Sequence, residues 1–318
     1  MFVARKDNDF NQPTTPMEAL APPALIPGDT IAIVSTARKV DAAFINLAEK
    51  TFTKWGFKIR RGDNLFKVHH QFAGSDSSRR ADLRSAFEDP EVKAVVCARG
   101  GYGTARIIDD IDFDVLKQNP KWVTGYSDVT ALHSHIYNKA GLQSIHGTMP
   151  VNFEDNTPES LESLRLLLTG NFLSYTAPAH RLNRAGAGEG VMLGGNLSVL
   201  YSMAASASEL NTEGAVLFLE DLDEYLYHID RMMLALKRAG KLAKLAGIVV
   251  GGMTDMRDNT VPFGKTAEEI IAEHAGSYAY PICFGFPAGH ITGNRAWLHG
   301  KKVRLTVKND QPSSLNHC

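Results

Sequence analysis

Three residues of this sequence carry the strongest local signs of chemistry: Ser127, Glu220 and His290. Ser127 lies in Gly125-Tyr126-Ser127-Asp128-Val129, between an apolar run and a helical stretch that opens near Asp128. A serine in a strand-to-helix turn exposes its hydroxyl, and the following N–H groups at the helix start are placed to hold an oxyanion. The turn departs from G-x-S-x-G by carrying Val129 at its last position. Taken locally, a helix cap at Ser127 or Asp128 explains the same residues, and more simply. Glu220 directly follows the apolar run Ala215-Val216-Leu217-Phe218-Leu219, which puts a carboxylate at an expected strand end. Its neighbours Asp221, Asp223 and Glu224 equally suggest a solvated turn. His290 ends Gly285-Phe286-Pro287-Ala288-Gly289-His290, a loop shaped by glycine and proline after another strand. Nucleophile, acid and base in that chain order match many α/β hydrolases.

Other patterns fail on spacing. Gly101-Tyr102-Gly103-Thr104-Ala105-Arg106 starts like a dinucleotide fingerprint but has Arg106 in the place of the third glycine. Gly264-Lys265-Thr266 ends like a P-loop, with Asn259 where the first glycine belongs. His133 with His135, and His69 with His70, lack the third ligand of a zinc site. Cys97, Cys283 and Cys318 lie too far apart to form a ligand pair and read as reduced thiols, the first two as small core residues. No metal and no cofactor is expected.

The elements that must position these residues follow from hydrophobic periodicity. Short apolar runs at 31–35, 94–98 and 122–126 read as buried strands, and 57–60 as an alternating one. Helical spacing covers 40–55, 78–88 and 128–139. Alternation of this kind builds βαβ units on a parallel sheet, whose ligand loops lie at the C-terminal strand ends. Gly100, Gly101, Gly103 and Ser127 all fall in such loops. A helix at 159–168 and a glycine-rich, loop-like stretch ending at 185–190 mark a change of pattern. Strands at 215–219, 247–250, 282–286 and 302–307, with helices at 225–239 and 266–274, make a second α/β unit. The expected division is a flexible segment over 1–25, a nucleophile domain over 26–155, a linker over 156–190 and a second domain over 191–318.

Composition excludes several classes. With 34 basic and 35 acidic residues, the formal charge of −1 argues against a nucleic-acid partner. No apolar run approaches the length of a membrane span, and the first 20 residues hold no apolar core of a secretory leader. A soluble, cytoplasmic protein is expected.

Taken together and in order, Ala98-Arg99-Gly100-Gly101-Tyr102-Gly103, Gly125-Tyr126-Ser127-Asp128, Gly194-Gly195-Asn196-Leu197, Leu219-Glu220-Asp221 and Phe286-Pro287-Ala288-Gly289-His290 resemble the LD-carboxypeptidase family. These are serine peptidases that include the murein tetrapeptide carboxypeptidases, and the likeness spans roughly residues 25–307. The resemblance implies two domains: an open parallel, flavodoxin- or Rossmann-like sheet with flanking helices carrying the serine, and a smaller C-terminal α/β domain. It implies that Ser127 is the nucleophile, with Glu220 and His290 completing a triad at the domain interface. The backbone N–H groups of Asp128, Gly100 and Gly101 would form the oxyanion hole. Arg99 is a candidate partner for a terminal carboxylate, or else a structural ion pair. Tyr102 and Asn196, inside the motifs, are further candidates for substrate binding. The implied partner is a muropeptide, from which the terminal D-Ala would be released, and the implied assembly is a homodimer. Two alternatives stand beside it. An enzyme similar to the microcin C immunity peptidases would cleave acylated aspartyl-nucleotides and would need aromatic residues to stack on a base. Residues 171–190 supply Phe172 and Tyr175 but no tryptophan. A non-catalytic two-lobed binding module would leave the serine, glutamate and histidine loops without a purpose.

Overall fold

Residues 15–318 are described by the computed structural model, so the first 14 positions of the expected flexible segment lie outside it. The short apolar runs form β1 (Thr30–Val34), β3 (Val92–Cys97) and β4 (Trp122–Gly125), the alternating segment forms β2 (Lys58–Arg61), and a further short strand, β5 (Ser144–His146), follows. All five pair in parallel in the order β2-β1-β3-β4-β5, which is the flavodoxin-like order. Their side chains divide by alternation. Ala32, Val34, Val95, Cys97 and Val123 face α2 (Asp76–Glu88) and α4 (Thr130–Ala140), with the short α3 (Asp114–Gln118) beside them. Ile31, Ile33, Ala94, Val96 and Trp122 face α1 (Ala42–Lys54) and α5 (Pro158–Leu168). Both faces are covered over β1, β3 and β4, so these strands are apolar, while the edge strand β2 is charged and mostly exposed.

The second sheet contains β6 (Tyr175–Ala177), β7 (Gly186–Asn196), β8 (Val216–Leu222), β9 (Gly247–Thr254) and β10 (Ile282–Cys283). A three-residue β11 (Trp297–His299) precedes β12 (Lys302–Val307) and β13 (Ser313–His317). The order is β10-β9-β8-β7-β12-β13-β6, parallel through β7 and antiparallel beyond it. Helices α6 (Leu197–Ser202), α7 (Leu226–Arg238) and α8 (Ala267–His274) accompany it, with Ile229, Met232, Met233 and Ile270 buried against Leu217, Leu219, Ile248 and Val250. The molecule is thus a mixed α/β protein with two helix-flanked sheets.

Four expectations change. The glycine-rich stretch at 186–190 is strand, not loop, because the backbone passes others too closely for side chains. A Cβ on Gly188 would stand 1.9 Å from the Ala246 carbonyl oxygen, and one on Gly190 would stand 2.1 Å from that of Gly214. The stretch expected as a linker, 156–190, carries α5, β6 and the start of β7. The boundary at 190 is crossed at β11, which leaves the second half to pair antiparallel with β5 in the first sheet. Finally, residues 15–25 are tied down: the N–H groups of Ala19, Leu20 and Leu25 donate to the carbonyls of Gly300, Gly141 and Leu168 at 2.8–2.9 Å, and Leu25 enters the core. No helix among the described residues is long and apolar enough to cross a membrane, and no group of metal-ligating side chains is assembled among them.

Candidate active site

Strand β4 ends at Gly125, and the chain turns sharply into a 3₁₀ turn over Ser127–Val129 that leads into α4. Ser127 has φ of +63°, a left-handed conformation that costs a non-glycine residue on the order of 1 kcal/mol. That is the geometry of a nucleophile elbow rather than of an ordinary helix cap, and Ser127 is half-buried. Gly125 is required beneath it, since a Cβ there would come within 2.9 Å of the Val129 side chain. His133 braces the same point. Its Nε2 lies 2.9 Å from the Gly125 carbonyl, so that nitrogen carries the proton, while Nδ1 accepts from Ser144 at 2.8 Å. Burial pushes its pKa down to about 4, so the ring is neutral at pH 7.

The glycine loop after β3 closes over the elbow. A Cβ on Gly100 would lie 3.1 Å from Ser127 Cβ, 3.3 Å from its Oγ and 3.4 Å from the Asp128 nitrogen. The bare α-carbon of Gly100 therefore shares a small space with the serine hydroxyl and the next amide, which is where an oxyanion would sit. The buried Asp128 carboxylate fixes this loop by accepting from the Thr104 N–H at 2.8 Å. Burial raises its pKa, and the bonds from Thr104 partly oppose that rise. Gly100→Ala is expected to lower kcat by about tenfold to a hundredfold while the melting temperature moves little, because the new methyl displaces the hydroxyl rather than the core. A melting curve beside the kinetics separates the two effects.

Glu220 sits on β8, fully buried, and one of its oxygens receives two donors. His290 Nδ1 lies 2.6 Å from Glu220 Oε2, and the His290 backbone N–H donates to the same atom at 3.2 Å. The loop permits this approach because Gly289 has φ of +103° and no side chain. A Cβ there would be 2.8 Å from the glutamate. The His290 carbonyl accepts from Thr254 Oγ1 at 3.0 Å. Burial works against the imidazolium, but the charge and hydrogen bond of Glu220, with Asp221 behind, outweigh it and raise the His290 pKa. With Nδ1–H turned to the glutamate, Nε2 is left for another partner. The ring rests against Tyr126, centroids 4.8 Å apart, and Tyr126 is the neighbour of Ser127. The structure therefore brings the serine turn of the first sheet to the histidine–glutamate pair of the second.

A hydrogen-bonded clasp joins the two sheets behind this pair. Asn196 lies opposite Glu220 in the β7–β8 register. Its backbone N–H donates to Thr130 Oγ1 at 3.0 Å, and its Nδ2 donates to Asp221 Oδ1 at 2.8 Å. Its own Oδ1 caps α6 through the Val199 N–H at 3.1 Å. Asn196 is 5% exposed, and the side chain expected to touch substrate is taken up instead by Asp221 and the α6 cap, while its backbone N–H reaches across to Thr130. Asp221, buried beside Glu220, has its pKa raised to about 7, first by burial and then by that neighbour's charge. Gly195 admits Thr130 because a Cβ would meet the threonine Oγ1 at 2.4 Å. Thr130→Val is expected to reduce kcat by about tenfold, and Thr130→Ser to restore it, since the acceptor for Asn196 returns with the hydroxyl. Equal kcat in the two variants would show that the clasp does not position the site.

Arg99 is half-buried, donates from Nη1 to the Lys39 carbonyl at 3.3 Å and has no carboxylate partner among the described residues. Tyr102 is 50% exposed, its ring 6.1 Å from that of Phe72. Thr130 had no signal of its own in the sequence, and Tyr126, His133 and Asp221, though they lie in segments already noted, were not singled out for these roles. Their roles come from contacts between distant segments.

Comparison with known proteins places these features. The family model of the LD-carboxypeptidase N-terminal domain matches residues 31–147, and that of the LD-carboxypeptidase C-terminal domain matches residues 189–305. The first span holds Ser127 and the second holds Glu220 and His290. A probable murein peptide carboxypeptidase of Bacillus subtilis is 36% identical over 295 residues, covering 90% of this chain and 91% of the relative. The murein tetrapeptide carboxypeptidase of Pseudomonas aeruginosa is 29% identical, covering 86% and 92%. The crystal structure of muramoyltetrapeptide carboxypeptidase from Oxalobacter formigenes matches with a TM-score of 0.82 at 26% identity, over 91% of this chain and 98% of that one. The microcin C7 self immunity protein MccF in complex with aspartyl sulfamoyl adenosine also gives 0.82, over 94% and 98%, and at 23% identity it shows a shared fold alone.

Proposed function

This chain belongs to the LD-carboxypeptidase family and is a peptidase, and from that premise we propose that it is a metal-independent serine carboxypeptidase releasing the terminal D-Ala of murein tetrapeptides. The observation that carries the proposal is the 2.6 Å bond from His290 to the buried Glu220, with the imidazole packed on the residue next to Ser127. His290 Nε2 takes the Ser127 proton as Oγ attacks the carbonyl of the diamino acid. Glu220 holds the ring in the required tautomer and stabilises its charged form. The N–H groups of Asp128 and of the Gly100–Gly101 loop receive the oxyanion. His290 then gives its proton to the amine of the leaving D-Ala as the C–N bond breaks. Water, deprotonated by the same histidine, hydrolyses the ester and frees Ser127.

The test is direct. Tetrapeptides containing L-Lys or meso-diaminopimelate are incubated with the protein in EDTA, and released D-Ala is measured. Release from at least one of them, abolished in Ser127→Ala, is the expected result. Loss of release on adding EDTA, or undiminished release by the variant, would refute the proposal. Cleavage of acylated aspartyl-nucleotides is a second reading, supported by the fold shared with the microcin C7 immunity protein. Turnover of such a substrate with none of the tetrapeptides would favour it, and binding without any turnover would favour a binding module. The proposed setting is the cytoplasm, in recycling of cell-wall fragments. The free thiols of Cys97, Cys283 and Cys318 suit a reducing compartment. The proposed assembly is a homodimer, which light scattering of the purified protein checks.

A further inference from the structure

Two arginines at the mouth of the first sheet have no part in the triad. In the order β2-β1-β3-β4-β5 the winding reverses between β1 and β3, so the loops after these strands diverge and open a crevice at their C-terminal ends. Arg38 lies in the loop after β1, and Arg99 in the loop after β3. The two loops are bolted together. Buried Arg79 donates from Nη1 to the carbonyls of both Thr36 and Gly103, Thr104 Oγ1 donates to Thr36 Oγ1 at 2.9 Å, and the Arg38 N–H reaches the Gly100 carbonyl at 3.4 Å. The Arg38 stem crosses Gly101 so closely that a Cβ there would stand 2.5 Å from its Cδ and 2.8 Å from its Nε. Gly100, one residue away, faces the Ser127 hydroxyl. The Arg38 stem is therefore held against the same glycine loop that covers the Ser127 hydroxyl.

Neither Arg38 nor Arg99 has a carboxylate partner among the described residues, whereas nearby Arg61, Arg80 and Arg106 are each paired with an acidic side chain. Two unpaired guanidinium groups on preorganised loops suit a carboxylate, which the planar fork binds through parallel hydrogen bonds. We infer that Arg38 and Arg99 form a clamp for the free C-terminal carboxylate of the residue released, so that the site takes chain ends and discriminates against amidated or extended peptides. The inference rests on the catalytic reading above for the identity of the ligand, and Arg38 is its new element.

The experiment measures binding and turnover separately. Calorimetry on Ser127→Ala compares a tetrapeptide bearing a free C-terminal acid with the same peptide as its C-terminal amide. The acid is expected to bind about tenfold to a hundredfold more tightly. Adding Arg38→Gln or Arg99→Gln should bring the acid to the affinity of the amide and leave the amide unchanged, with melting temperatures confirming that each variant is folded. Equal weakening of both peptides, no change in either, or no binding of either by Ser127→Ala would overturn the clamp. Wild-type D-Ala release, assayed alongside, reports on the catalytic reading alone. Turnover without acid–amide discrimination would remove the clamp and keep the chemistry. Discrimination without turnover would do the reverse.

Discussion

Replacing Glu220 with glutamine is expected to lower kcat by about a thousandfold to ten-thousandfold and to shift the acid limb of the pH profile downward. The reasons lie in the His290 environment. Burial alone would depress the imidazole pKa, and it is the adjoining carboxylate, by charge and by hydrogen bond, that turns the net shift upward. A general base must be neutral, so activity in the wild type falls as pH drops through a pKa lying above the usual value of about 6.5. Without the carboxylate, burial acts against the remaining pull of Asp221, and the limb moves toward lower pH while the maximum rate collapses. The substitution keeps the shape of a side chain that is fully buried, so the loss belongs to charge and tautomer rather than to a cavity. Rates of D-Ala release between about pH 5 and pH 9 give the answer. A limb that stays in place in Glu220→Gln would mean that this glutamate does not control the base.

The second large effect concerns stability in acid. His133, His146 and His299 are completely buried, and burial pushes all three pKa values down, that of His133 to about 4 and the other two well below the ordinary value. They are packed together, His146 on Trp297 with centroids 5.0 Å apart and His133 on His299 at 5.9 Å, so charging one also raises the cost of charging the next. In the unfolded chain each titrates near 6.5. The stability they contribute is thus whole above that pH and is lost as pH falls from there toward the folded values. At pH 5 each fully buried ring accounts for about 2 kcal/mol. Three such losses approach the lower end of a domain's total stability of about 5–15 kcal/mol. His290, Asp221 with its pKa raised to about 7, and the raised carboxyls of Asp82 and Asp128 work in the opposite sense and favour the folded state in acid, while His135 and His317, both lowered, add to the loss. Urea denaturation at neutral pH and at about pH 5 should therefore show a smaller unfolding free energy in acid. Equal unfolding free energies at the two values would show that the three buried rings do not dominate the response to acid.

The parallel character of the first sheet was readable because β1, β3 and β4 are apolar on both faces and alternate with helices, though the order of its strands was not. The ordered motifs likewise pointed to the family. What resisted reading has physical causes. Strands β5, β6, β11 and β13 are three to five residues long, too short for alternation to stand out. Gly186 to Gly190 looked like a loop because glycine marks both turns and close backbone approach, and only the neighbouring carbonyls decide between them. Asn196 looked like a ligand contact, yet its polarity is consumed by a helix cap, by Asp221 and by the link to Thr130. Glu220 and His290 are separated by 70 positions, and nothing local in either segment shows that one accepts from the other. Arg38 was silent for the same reason: its meaning depends on Gly101 and on a crevice made by the order of strands.

The central claim is that Ser127 is the nucleophile. Its most direct test is to treat the wild-type protein with a fluorophosphonate and follow label incorporation and D-Ala release in parallel. Activity should fall in step with a single label, located on Ser127 by peptide mass mapping and blocked by excess tetrapeptide. Release that survives complete modification of Ser127, or that is lost through a label on another residue, would contradict it.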